Sequence, residues 1–366
     1  MNGYINAKEA EGFKALVNSC GNILIISHTN PDGDAVGSVV AMRNYLHSKG
    51  ISSTIVLPND YPDYLEFLDD REKILIYKKD PQKIIALADS SDLIIALDFN
   101  QLQRVDELEA HILDSGAKRV LIDHHPSPDC NNFNLVISNT EVSSTCELLY
   151  WLILTLEGEV SKIEISVATP LYVGMMTDTN NFSNSVNSAT FKMASDILSV
   201  GVDKESLQHK VFGGFSQKRM RLMGHILLNK MVIIEKYSAG YITISKEEQQ
   251  LYDFSEGDAE GFVNLPLNIK EVNISALFTE RDGQIRVSLR SVNDFSVNRF
   301  SRLHFNGGGH ERAAGGKLFI NFEEVGAFFE RALEQSFYKC KGDNGAGEEN
   351  GTIATGKSIN NRNNYK

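Results

Sequence analysis

The sequence predicts an α/β fold. An N-terminal parallel five-stranded sheet carries helices on both faces, a helical connector follows, and a smaller C-terminal α+β domain closes the order. Three observations carry this reading. Short, continuously apolar runs alternate with helical spacing over the first 200 residues, as expected of a parallel sheet covered on both sides. Residues 201–230 are more polar and helical in pattern. From residue 231 the texture changes to short alternating runs separated by turn residues.

In chain order, Asn22–Ser27 (NILIIS) reads as a buried strand, and Ala35–Lys49 as a helix stopped by Gly50. Ser53–Leu57, Leu93–Leu97, Arg119–Ile122 and Leu135–Ile137 supply the other four strands. Helices are predicted at Ser144–Leu156, Ile163–Met176 and Ser188–Val200. The connector is interrupted near Gly213-Gly214. Lys230–Ser245 reads as a hairpin turning near Ala239-Gly240, and Asn273–Phe278 with Gln284–Leu289 as a second around Arg281-Asp282-Gly283. A helix at Val297–Leu303, a strand at Lys317–Ile320 and a helix at Glu323–Phe337 follow. The domains expected are therefore 1–200, the connector 201–230, and 231–340; 341–366, rich in Gly and Asn, reads as a disordered tail.

Composition narrows the function classes. The 366 residues include 36 Lys and Arg against 48 Asp and Glu, a net charge of −12. Such a chain is a poor nonspecific partner for duplex nucleic acid or an anionic membrane. The densest apolar stretch, Leu148–Leu156, is far shorter than the ~20 residues that span a bilayer. Four scattered cysteines without a CxxC pair argue against a disulfide framework or zinc ribbon. No basic segment leads into an apolar run at the start, so a cytoplasmic setting is expected.

Four segments concentrate acids and histidines, each expected at the C-terminal end of a strand, the edge at which open parallel sheets bind ligands. They are His28-Thr29-Asn30-Pro31-Asp32-Gly33-Asp34, then Asp98, then Asp123-His124-His125, then Asp178 in Met176-Thr177-Asp178-Thr179. Alone, PDGD is a turn and a single Asp after a strand is a helix cap; together they are a constellation. Asp32, Asp34, Asp98 and Asp178 carry about −4, which two divalent cations neutralise. Mixed carboxylate and imidazole donors suit Mn²⁺, with Fe²⁺, Co²⁺ or Zn²⁺ as alternatives, better than Mg²⁺. Two such ions can clamp a phosphoryl group and activate water as hydroxide.

The set HTNPDGDAVGS, ALD, DHH and TDT resembles the DHH phosphoesterase superfamily, and Phe305–Gly316 (FNGGGHERAAGG) is similar to the GGGH signature of its C-terminal partner domain. Size and layout are most similar to the nanoRNase group, bifunctional oligoribonucleases and PAP phosphatases. The resemblance implies that His28, Asp32 and Asp98 hold one metal. Asp34, Asp98, His124 and Asp178 would hold a second, with Asp98 bridging. It implies that Asp123 orients a histidine ring and that His125 stands near the scissile phosphate. Arg290, Gly308, Gly309 and His310 would bind the substrate's terminal nucleotide or phosphate. Gly37 and Ser38, in the first turn of the helix after PDGD, are read as a further anion site.

The function expected is two-metal, Mn²⁺-dependent hydrolysis of short single-stranded oligoribonucleotides to mononucleotides. The 3′-phosphate of adenosine 3′,5′-bisphosphate is a further candidate, and a homodimer is plausible by resemblance. Linear or cyclic dinucleotides, single-stranded DNA, or a catalytically silent nucleotide sensor remain as alternatives.

Overall fold

The computed structural model describes residues 3–69, 74–213, 215–255, 257–292 and 294–342, the last five without side chains. Most of the expected tail, from 343 onward, lies outside the described residues. The chain divides into two units. One comprises Met1–Leu222 with Tyr252–Glu260, the other Met223–Leu251 with Gly261–Lys366.

The first unit opens with helix α1 (Ala7–Asn18), started by a capping box between Asn6 and Glu9. Strand β1 (Ile23–Ile26), helix α2 (Gly33–Ser48) and strand β2 (Ser53–Leu57) follow. Next come β3 (Ile74–Ile76), α3 (Pro81–Asp89), β4 (Leu93–Leu97), α4 (Leu108–Asp114), β5 (Lys118–Asp123) and β6 (Leu135–Ser138). Four helices then cover the sheet or lead out of it: α5 (Thr145–Glu157), α6 (Ile165–Asp178), α7 (Ser188–Val200) and α8 (Lys204–Phe212). All strand pairs are parallel, in the order β3-β2-β1-β4-β5-β6.

The sheet has six strands rather than five. β3 is a three-residue edge strand, Ile-Leu-Ile, registered against β2, and is too short to announce itself by pattern. Both faces are buried: Ile23 and Ile25 of β1 enter one apolar cluster, Leu24 and Ile26 the other. α5 and α7 end on glycines in the left-handed region, Gly158 (φ 80°) and Gly201 (φ 107°).

α2 and α6 cross closely because two glycines face the contact. A Cβ on Gly37 would stand 2.6 Å from the Pro170 carbonyl oxygen, and one on Gly174 would stand 2.2 Å from Cys146 Sγ. Pro170 lies inside α6 and lacks the N–H that would bond the Ser166 carbonyl. The Asn44 side chain of α2 donates to that carbonyl instead, at 2.7 Å. This packing corrects one expectation. α2 begins at Gly33, so Gly37 and Ser38 lie in its second turn, fully buried, and their amides belong to the helix rather than to an anion.

The connector holds α8, α9 (Gln217–His225) and a π-helical turn, Ile226–Lys230. Within the first unit Arg219 is buried. Its Nε donates to the Asp258 carbonyl at 2.9 Å and its Nη2 to that of Glu260 at 2.7 Å, which ties segment 252–260 back to the unit.

The second unit contains β7 (Met231–Ile234), β8 (Ala239–Ile244), α10 (Lys246–Leu251), β9 (Ile274–Arg281) and β10 (Gln284–Ser291). α11 (Val297–His304), β11 (Gly308–Gly309), β12 (Ala313–Leu318) and α12 (Val325–Gly342) complete it. The sheet order is β11-β12-β10-β9-β8-β7, antiparallel except for β8 and β9. Its core is aromatic: Phe278, Phe300, Phe305 and Phe329 are buried and in ring contact. β12 starts four residues earlier than expected, because Ala-Ala-Gly-Gly hides the alternation. Among the described residues, no helix is long and apolar enough to cross a membrane.

Candidate metal centre

β1 and β4 are neighbours, and the strand order reverses between them: β2 and β3 lie beyond β1, β5 and β6 beyond β4. Side chains leaving the C-terminal ends of strands at such a switch point converge on one crevice. His28 stands two residues past β1, Asp98 directly past β4, and Asp123 ends β5 with His124 and His125 behind it. Asp178 departs from expectation in its origin: it is the last residue of helix α6 and follows no strand. It reaches the crevice because the start of α2 lies against the end of α6, where a Cβ on Gly33 would meet Thr177.

Donor atoms of His28, Asp32 and Asp98 lie within 4.8 Å of one another, as do those of Asp34, Asp98 and His124. His28 Nε2 is 3.5 Å from Asp98 Oδ2. His124 Nε2 is 4.0 Å from Asp34 Oδ2, 3.8 Å from Asp98 Oδ1 and 3.5 Å from Asp178 Oδ2. Asp98 thus turns one oxygen toward each group. Metal bonds of about 2.0–2.2 Å set neighbouring donors roughly 3–4 Å apart, so this is the spacing of ligands around ions.

Local structure holds these groups in place. Asp32 caps α2, its Oδ1 accepting from the amides of Asp34 (3.0 Å) and Ala35 (3.1 Å). Asp98 sits at φ 66°, a left-handed conformation that Asp tolerates better than most residues and that turns its carboxylate off the strand. His28 Nδ1 lies 2.9 Å from the Thr29 carbonyl, which selects the tautomer with the proton on Nδ1 and leaves the Nε2 lone pair for a ligand. Asp123, fully buried, accepts from His125 Nδ1 at 2.7 Å through Oδ1 and from the His125 amide at 3.1 Å through Oδ2.

The electrostatics describe a site short of positive charge. Burial, with the charges of Asp98 and Asp178, pushes Asp34 well above the carboxylate range; burial and Asp32 do the same to Asp98. Burial holds His28 and His124 below the usual imidazole range, so both are neutral donors. Asp32 stays low despite burial because His28 and two amides favour its charged form. His125 is the opposite case: burial opposes its charge, yet its bond and attraction to Asp123 lift it to about 9. Buried carboxylates that repel one another beside neutral imidazoles are a donor set that divalent cations complete.

In the second unit the four expected substrate residues share one end of the sheet. Arg290 on β10 pairs with Ala313, next to Ala314, which pairs with Gly309. The His310 amide donates to the Ala313 carbonyl at 2.7 Å. The glycines differ in what requires them. A Cβ on Gly307 would lie 1.9 Å from the Gly315 carbonyl oxygen and one on Gly316 2.4 Å from that of Phe305; Gly309 is at φ 146°. Gly308 is the exception: its nearest neighbour would be 3.6 Å away, an ordinary contact.

Residues 22–175 match the DHH family N-terminal domain, and residues 244–335 match the DHHA1 domain. The structure of an exopolyphosphatase-related protein from Bacteroides fragilis is 38% identical, with a TM-score of 0.86 over 92% of this chain and 98% of that one. This chain belongs to the DHH family. Among its relatives, the bifunctional oligoribonuclease and PAP phosphatase NrnA of Bacillus subtilis is 26% identical over 81% of this chain and 89% of its own length. The cyclic-di-AMP phosphodiesterase GdpP of the same organism is 25% identical over 90% of this chain, which spans 50% of that protein.

The matched DHH segment contains His28, Asp32, Asp34, Asp98, Asp123, His124 and His125, and Asp178 lies three residues beyond its end. It also contains two residues that motif reading passed over. The amides of Thr145 and Cys146, at the start of α5, donate to Asp34 Oδ2 (2.6 Å) and Oδ1 (2.9 Å), and Thr145 Oγ1 donates to Asp98 Oδ1 at 2.9 Å. Ser143-Ser144-Thr145 before an apolar helix reads as a cap, which it is; only the fold shows that the acids lie beside it.

Proposed function

We propose that this DHH-family chain is a Mn²⁺-dependent phosphoesterase. It hydrolyses short oligoribonucleotides to mononucleotides and removes the 3′-phosphate of adenosine 3′,5′-bisphosphate. The observation that carries the reading is the double donor set sharing Asp98. His28, Asp32 and Asp98 would hold one ion, and Asp34, Asp98, His124 and Asp178 the other. Bound there, divalent ions supply a water activated at neutral pH and positive charge for a phosphoryl group.

The chain's own residues do the rest. Asp123 fixes the His125 ring and keeps it protonated, so His125 can donate a hydrogen bond or a proton to the oxygen leaving phosphorus. Arg290 and His310, with the backbone at Gly308 and Gly309, would grip a terminal phosphate through charge and amide donors. The similarity to NrnA supports the substrate class, and the net charge of −12 suits short oligomers over long polymers.

Purified protein with Mn²⁺ is to be given di- to pentaribonucleotides, adenosine 3′,5′-bisphosphate, linear and cyclic dinucleotides, pyrophosphate and polyphosphate. Chromatography and phosphate release are followed together. Preference for the short oligoribonucleotides, ending in mononucleotides, is the expected result; turnover of only polyphosphate or pyrophosphate rejects the reading.

A further inference from the structure

The acids of the cluster do not stand unaided. Thr145 is the first residue of α5, and it touches two of them at once: its amide donates to Asp34 Oδ2 at 2.6 Å and its hydroxyl to Asp98 Oδ1 at 2.9 Å. Asp34 comes from the start of α2 and Asp98 from the end of β4. One residue of a third element therefore bridges carboxylates carried by two others. Both hydrogen bonds are buried, where competing water is absent.

Thr145 is itself locked. Ser144 caps α5 by accepting from the Glu147 amide at 3.0 Å. Glu147, with no exposure at all, gathers four donors. Through Oε2 it accepts from the Ser143 amide (2.9 Å), Ser143 Oγ (2.5 Å) and Thr190 Oγ1 (2.9 Å), and through Oε1 from Trp151 Nε1 (3.2 Å). Thr190 lies in the first turn of α7. A buried carboxylate thus pins the turn before α5 to another helix, in the turn that presents Thr145 to the acids. A carboxylate bonded this fully is held in one rotamer, and it cannot be removed without stranding its donors.

We infer that Thr145 is a positioning residue for the metal centre, setting the distance between Asp34 and Asp98, and that Glu147 is the buried anchor holding Thr145 in place. The inference rests on the metal-site reading above. Partners of metal ligands typically tune affinity by 10–100-fold without touching the ion.

The test uses Mn²⁺ alone, with no substrate. Free aqua-Mn²⁺ is followed by electron paramagnetic resonance while the full chain is titrated, and thermal melting is recorded with and without metal. Thr145→Val keeps the shape and loses the hydroxyl, and should weaken Mn²⁺ binding by about 10–100-fold while melting remains cooperative. Thr145→Ser should restore binding to within about threefold of the parent, because it returns the hydroxyl alone. Glu147→Gln should weaken binding less than Thr145→Val. Thr145→Ala is read in the same titration and gives the answer should the valine be too bulky beside Asp98. Mn²⁺ affinity unchanged in the valine and alanine variants overturns the inference, as does a serine variant no better than valine. Failure of both valine and alanine variants to fold also overturns it, since that marks Thr145 as a fold residue only. If the parent protein binds no Mn²⁺, it is the metal-site reading that fails.

Discussion

Asp98→Asn separates what the shared acid does for the fold from what it does for metal. Asparagine matches aspartate in shape, keeps an acceptor for Thr145 Oγ1, and tolerates the φ of 66° found at this position. What it removes is one negative charge from a place where Asp98 is 2% exposed and lies near Asp32, Asp34 and Asp178. The sign for the metal-free protein follows. Burial and Asp32 raise the folded-state pKa of Asp98, so at neutral pH its charge opposes folding, and the amide relieves that cost. Without metal the variant should melt at or above the temperature of the parent. With metal the order reverses. An ion at 100 times its Kd stabilises by about 2.7 kcal/mol, and a unit of this size gains roughly 2–4 °C per kcal/mol, so Mn²⁺ should raise the parent by roughly 5–11 °C. Asp98→Asn should show almost none of that rise and no hydrolysis. Melting curves in EDTA and in Mn²⁺, with phosphate release on the same samples, provide the assay. A variant that keeps the metal-dependent rise, or turns over at the parental rate, refutes a bridging role for Asp98.

Three further outcomes are expected. Gly174→Ala places a carbon 2.2 Å from Cys146 Sγ and 2.8 Å from Asp34 Oδ1, so it should destabilise by about 1–3 kcal/mol and cut activity. Adding Cys146→Ala should recover part of the melting loss, as a double-mutant cycle will show. Gly308→Ala should fold like the parent, because its Cβ meets only an ordinary contact at 3.6 Å, yet raise KM if an anion approaches that backbone; Gly307→Ala, 1.9 Å from a carbonyl, should lower the melting temperature. His125 should titrate near pH 9 in metal-free protein by imidazole NMR, and Asp123→Asn should move it down by removing the charge that helps to outweigh burial. Because this pKa is raised above its ordinary 6.5, the pair's contribution to metal-free stability is full below about pH 6.5 and lost as pH climbs through 9. Melting in EDTA across pH 6–10 should show that loss in the parent and a flatter profile in Asp123→Asn.

The parallel sheet could be read from the chain because its strands are continuous apolar runs: Leu93–Leu97 and Ser53–Leu57 appear with the bounds expected. β3 escaped because three residues show no period. The clustered residues were legible where each occupies a compact segment past a strand, as His28, Asp98 and His124 do. Asp178 shows the boundary of that method. Its place depends on the antiparallel crossing of α2 and α6, made by Gly37, Gly174 and Pro170, whose missing N–H frees the Ser166 carbonyl that Asn44 takes. Gly37 looked like an anion contact for the same reason: small residues serve close packing and close ligand approach alike, and only the neighbours distinguish the two. Thr145 was invisible because hydrogen bonds across 111 and 47 residues of chain leave no local signature.

The path of the polypeptide has its own consequence. The first unit draws on two stretches, 1–222 and 252–260, with a piece of the second spliced between them. Expressing residues 1–230 would therefore not liberate the whole first unit. It would delete the carbonyls of Asp258 and Glu260, which accept two hydrogen bonds from the buried Arg219 guanidinium. Any exchange of halves between homologues must carry that returning loop along with the first unit.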